Sequence, residues 1–118
     1  MGHSILWGAA GRIPHDDMRV WHEAIDTGKS PHDVIATMQD YVASLTPRDL
    51  APIPADCRPG RIRDESDIDY WNLRLADACK ELWGTDRDGR LITEMSQMFL
   101  RASVRVSRLN EDSAPTHP

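Results

Sequence analysis

The middle of this chain cannot be one continuous helix, and that decides what the rest can be. Pro47, Pro52, Pro54, Pro59 and Gly60 crowd the stretch 46–63. A proline has no backbone N–H to donate, and its ring clashes with the preceding helical turn. The 118-residue chain is therefore cut into two stretches that must each find their own regular structure. On both sides apolar residues recur at three- and four-residue spacing, and neither side holds a long alternating β-branched run. The chain reads as all-α.

Ahead of the proline block, Met18, Trp21 and Ile25 mark a helix that starts after Pro14 and stops at Gly28. Ser30 as cap, Pro31 at the first helical position and Asp33 as a capping-box acid open a second helix. Val34, Ile35, Met38, Tyr41, Val42 and Leu45 form its apolar stripe. The short link between the two suits an antiparallel helical hairpin. Thr46-Pro47-Arg48-Asp49 can start one further helical turn.

Beyond the block, a third helix over about 64–83 carries Asp64, Glu65, Asp67 and Asp69 at its start, where the helix dipole favours acids. Ile68, Trp71, Leu75, Ala78, Cys79 and Leu82 share one face, and Gly84 ends it. A fourth helix begins near Asp86 or Asp88 and runs to about Leu109. Its stripe is Leu91, Ile92, Met95, Met98, Phe99, Ala102, Val106 and Leu109, and Arg101, Arg105 and Arg108 fall in its last turns.

The expected organisation is one helical domain over 1–118 with about four amphipathic helices. An N-terminal arm (1–12) leads into a helical hairpin (13–46). A Pro- and Arg-containing connection (47–63) joins it to a second hairpin (64–110), and a loose tail (111–118) follows. Pro14-His15-Asp16 is echoed by Pro31-His32-Asp33, which shared helix-start chemistry explains without a repeat.

Composition narrows function by exclusion. Hydrophobic residues at 40% and charged residues at 28% describe a globular chain, and a formal charge of −5 argues against a coat for nucleic acid or an anionic membrane. Two cysteines, Cys57 and Cys79, do not make a disulfide scaffold. The apolar patch from Ile5 to Ala10 is too short to span a membrane and lacks the basic flank of a signal peptide. Leu6 fails the myristoylation motif that Gly2 would begin. A cytoplasmic protein is expected.

No catalytic set stands out, and no catalytic residue, metal ligand or cofactor is assigned. His22 and Asp26 share a helix face at i,i+4, but a zinc site needs three or four converging ligands, and neither Cys-x-x-Cys nor His-Glu-x-x-His is present. A small metal-dependent enzyme using this pair ranks last among the readings. Arg58 beside Cys57 would lower the thiol pKa, but no partner base or second thiol is near in sequence. Gly8-Ala9-Ala10-Gly11 lacks the Lys and Ser or Thr of a phosphate loop.

Two surfaces remain. Arg87, Arg90, Arg101, Arg105 and Arg108 fall within a stripe about 60° wide on the last helix, and Arg48, Arg58, Arg61 and Arg63 lie in or beside the connection. They could contact a phosphate backbone, with Arg87, Arg90, Arg101, Arg105, Arg108, Arg58, Arg61 and Arg63 as the contact set. Equally, Asp67, Asp77 and Glu81 of the third helix could pair with the stripe inside the molecule. The second surface is apolar. Tyr70 and Leu73, with Leu100 and Val104, lie off the main faces of their helices, and Trp7 on the arm has no local partner. Such residues on adjacent helices can form a patch, the raw material of a homodimer interface, unless the arm and the connection fold over them. The residues favour a non-enzymatic protein-interaction or regulatory module assembled as a homodimer. A nucleic-acid-binding regulator stands second.

Overall fold

The computed structural model describes residues 17–82 and 87–113, the side chains of 87, 88 and 113 excepted. The regular structure among them is helical: α1 (Met18–Thr27), α2 (Pro31–Ser44), α3 (Pro47–Leu50), a 3-10 turn (Ala55–Cys57), α4 (Glu65–Leu82) and α5 (Arg87–Ser113). Trp7 and the arm, and the tail beyond 113, lie outside the described residues.

The fold is organised around α5. All eight residues of its apolar stripe, from Leu91 to Leu109, are at most 7% exposed. A stripe that long and wide serves several neighbours, and α1, α2 and α4 all pack on it. Along α4 the contacts run in reverse order. Asn110 donates to Glu65 (3.0 Å), Ser103 donates to Asp69 (2.6 Å), and the Cys79 thiol donates to the Ile92 carbonyl (3.7 Å). On the other flank, Trp21 of α1 meets Tyr41 of α2 edge to face at 5.4 Å, closing the core between them.

Local chemistry sets the helix ends. Ser30 accepts from the Asp33 N–H (3.2 Å), while the Asp33 carboxylate reaches one residue past the cap to the Lys29 N–H (2.9 Å). Gly28 stops α1 as expected, but not through a left-handed backbone. Its φ is −59°. Its small size is used instead for close approach, since a Cβ there would sit 3.2 Å from Cγ2 of Val34 and 3.4 Å from the Ile25 carbonyl.

The connection is built rather than loose. Thr46 and Asp49 form a complete capping box that starts α3. Ile53, Cys57 and Ile62 are buried in the common core. Gln39 of α2 donates to the Ile62 carbonyl (2.7 Å), and Arg74 of α4 holds the 3-10 turn through the Asp56 carbonyl (3.2 Å) and carboxylate (2.9 Å).

One boundary is corrected. Residues 111–113, expected in the loose tail, continue α5. No glycine or proline intervenes before Pro115, and the Asn110–Glu65 hydrogen bond anchors the turn they extend. The last turn therefore carries Glu111 and Asp112 and no base, the reverse of the arginine-rich end expected. No helix among the described residues is long and apolar enough to cross a membrane.

Candidate functional site

Arg101 and Arg105 of α5 reach α1 and its C-cap rather than α4. Arg101 grips Asp26 with two bonds, Nε to Oδ1 at 2.9 Å and Nη2 to Oδ2 at 2.7 Å. Arg105 places Nε (3.2 Å) and Nη2 (2.7 Å) on the carbonyl of Gly28, the C-cap of α1. Two of the intramolecular partners anticipated on α4 are engaged elsewhere. Asp67 takes Arg63 (3.1 Å), and Asp77 meets Lys80 at 3.9 Å. The reason is rotational. The apolar stripe faces the core, which turns Ser103 and Asn110 toward α4 and leaves the arginine edge against α1.

The wider set of arginines does not form one basic track. Arg58 donates to the carbonyls of Ile53 (2.8 Å) and Ala51 (3.1 Å), bracing the connection. Arg63 is bound to Asp67. Arg61, Arg90 and Arg108 are exposed and make no hydrogen bond or ion pair among the described residues. The side chain of Arg87 lies outside the described residues.

Between α1 and α5 lies an open groove of about 720 Å³, lined by His22 and Asp26 from one helix and Gln97, Leu100, Arg101, Val104, Arg105 and Arg108 from the other. The α5 side carries a cationic edge and an apolar strip next to each other, and the α1 side carries His22 and Asp26. Three arginines face one carboxylate, an excess of positive charge in a chain whose net charge is −5. Burial, then the neighbouring Arg101 charge, push the His22 pKa down from its ordinary value, against a smaller opposing pull from Asp26. The Arg101 hydrogen bonds hold the Asp26 carboxyl below its ordinary value. His22 and Asp26 thus come to one place, but both oxygens of Asp26 already serve Arg101. No group of three or more His, Cys, Asp or Glu able to hold a metal occurs among the described residues.

The apolar candidates divide. Leu73 is 68% exposed, Leu100 53%, Tyr70 49% and Val104 45%, so the connection does not cover them. Tyr70 is nonetheless engaged, edge to face with Trp71 at 4.8 Å and under the Arg74 guanidinium at 5.7 Å. Leu100 and Val104 form the apolar strip of the groove. Leu73 stands one turn past Asp69, the residue of α4 that Ser103 of α5 bonds.

The cysteines are structural. Arg58 turns its guanidinium away, and the Cys57 thiol faces the Asp56 carboxylate at 3.7 Å. Burial and that carboxylate raise its pKa, the opposite of activation. Burial likewise raises the pKa of Cys79.

Gln97 escaped sequence reading, although its position one turn before Arg101 on the outward face was a usable signal. The Gly28 carbonyl carried none. No protein-family model matches the chain, and no curated protein or solved structure matches it either.

Proposed function

We propose that this chain is a non-enzymatic interaction or regulatory module that works as a homodimer through the outer face of α5, each protomer formed from two helical hairpins. The observation that carries the reading is the exposure of Leu100 and Val104 one turn apart on α5, with Leu73 exposed on the adjacent α4. Charge supports a two-fold pairing. α5 carries Arg90 in its first turn and Glu111 and Asp112 in its last, each sign at the end of the helix dipole that disfavours it. An antiparallel pairing that sets Leu100 against Val104 of a second copy relieves both ends. Arg90 lies about 15 Å before Leu100, and Asp112 about 12 Å after Val104, at the helical rise per residue. The two charges then fall within reach across the interface. Two cysteines present as free thiols suit a reducing compartment such as the cytoplasm.

The rival, a nucleic-acid-binding regulator, is weakened by the intramolecular duties of Arg58, Arg63, Arg101 and Arg105. Sedimentation equilibrium with circular dichroism alongside separates the cases. The wild type is expected to be a dimer, and Leu100→Asn with Val104→Asn a helical monomer. Arg90→Glu is expected to weaken pairing, and adding Glu111→Arg and Asp112→Arg to restore it. A wild type that stays monomeric at high micromolar concentration overturns the proposal, and a dimer indifferent to all these changes removes this surface from it.

A further inference from the structure

The groove between α1 and α5 has features that self-association does not use. Arg101 and Arg105 are not free side chains waiting to collapse onto a neighbour. Each is fixed by two hydrogen bonds through Nε and Nη2, to Asp26 and to the Gly28 carbonyl. In neither does Nη1 make a hydrogen bond among the described residues, which leaves both its hydrogens for another acceptor. Arg108, one turn further along the same edge, is unpaired and lines the same groove. Two fixed donors and one exposed cation therefore line one edge of the groove. Fixing guanidinium groups before a ligand arrives lowers the ordering cost of binding. Beside them on the same helix, Leu100 and Val104 supply an apolar strip, and Gln97 an amide next to both. The volume falls within the usual range for small-molecule sites.

We propose that this groove binds a small amphiphilic anion, a phosphate or carboxylate group carried on an apolar chain or ring. The oxyanion sits against Nη1 of Arg101 and Arg105 with Arg108 closing over it, and the apolar body lies along Leu100 and Val104. Asp26 and the Gly28 carbonyl are positioning groups that aim the two fixed arginines. Phosphate and carboxylate oxygens both accept charge-assisted hydrogen bonds from guanidinium N–H groups. The cationic edge lies outside the pairing face, but Leu100 and Val104 belong to both, so the apolar body and a second copy compete for them and binding is expected to shift a dimer toward monomer in sedimentation.

The test is titration of the full chain with octyl phosphate, octanoate and inorganic phosphate at low ionic strength, followed by amide chemical shifts. Sedimentation of the same samples records the oligomeric state separately. Octyl phosphate or octanoate is expected to bind saturably in the low millimolar range or better, with the largest shifts at His22, Gln97, Val104 and Arg108. Whichever of the two binds more tightly identifies the head group. Inorganic phosphate is expected to bind roughly tenfold more weakly, having no apolar body to bury. Arg108→Gln, at an exposed position with no structural partner, is expected to weaken binding by about fivefold or more, the loss of one charge-assisted contact. Arg105→Lys keeps the charge but cannot hold the fork on Gly28, and is expected to weaken it as well. Saturable binding of neither amphiphile, shifts centred away from the groove, or unchanged affinity in Arg108→Gln each overturns the proposal. Inorganic phosphate binding as tightly as octyl phosphate overturns the apolar half of it. A monomeric wild type that still binds octyl phosphate refutes the dimer and leaves the groove standing.

Discussion

The hydroxyl of Tyr41 is buried and has no hydrogen-bond partner among the described residues. Its ring is what the fold uses, set edge to face against Trp21 at the junction of α1 and α2. Burial, with lesser contributions from the Glu94 and Asp49 charges, pushes the phenol pKa well above its ordinary value. An unsatisfied buried hydroxyl costs about 1–3 kcal/mol in lost hydration. Tyr41→Phe keeps the ring and removes that cost, so the variant is expected to be at least as stable as the wild type, by up to about 1–2 kcal/mol. Urea unfolding checks this, and a clear loss of stability would show that the hydroxyl is satisfied after all. Arginine gives the complementary lesson. Five arginines looked alike on one helix edge, yet Arg101 and Arg105 are braces whereas Arg90 and Arg108 make no hydrogen bond or ion pair among the described residues. Sequence spacing placed them on one edge but could not reveal the partners. Arg101 and Asp26 are 75 residues apart, and nothing in either segment encodes the other.

At the scale of elements, the most legible parts were those governed by short-range physics. The stripe of α5 is buried throughout as its spacing required, and Ser30 caps α2 as its position required. The connection was harder to read. Its prolines say what it is not, but Ile53, Cys57 and Ile62 enter the core only because α2 and α4 offer surfaces to receive them. The one local signal, Thr46 followed by Asp49, is where the segment is most firmly set. The Asp49 carboxylate, 5% exposed as a residue, accepts from both the N–H and the hydroxyl of Thr46 at 2.9 Å. Asp49→Ala removes the acceptor for both and is expected to cost about 1–2 kcal/mol, at the upper end for a helix cap because the site is buried. The measurement is the urea midpoint together with amide exchange across 46–57. A midpoint unchanged from wild type would mean that the box is ornamental and that burial of Ile53 and Ile62 alone holds the segment. The candidate site was half legible: the arginine edge and the His22–Asp26 pair could be read, but not that α1 and α5 bring them to one groove.

For the whole molecule, the shifted groups act together to confine stability to a window of pH. On the acid side, His22 is held below its ordinary 6.5 by burial and by Arg101. The unfolded chain therefore takes up a proton at a pH where the folded chain does not, so stability is present above about 6.5 and lost as pH falls through the folded value. Asp26 adds to this lower down. Its carboxyl is held below 3.8 chiefly by Arg101, so its contribution is intact above that value and disappears as the clamp is protonated. The Arg101 and Asp26 side chains are 43% and 48% exposed, which limits that pair to about 1 kcal/mol or less after screening. On the alkaline side the signs reverse. Burial raises the Cys57 and Cys79 thiols above their ordinary 9.0, and Tyr41 above 10.0. The unfolded chain loses those protons first, and stability falls as pH rises past 9.0. The unfolding free energy measured against pH is expected to show a plateau between about 6.5 and 9, falling on both sides. Replacing His22 with Gln isolates the acid limb, because the variant should lose most of the pH dependence between 6.5 and 5 while keeping the later fall that Asp26 contributes. An NMR titration supplies the direct reading, a His22 pKa below 6.5 in the folded chain. A folded His22 that titrates at or above 6.5 would mean that its imidazole gains a proton in the groove rather than losing one. The acid limb would then have to come from the carboxylates alone.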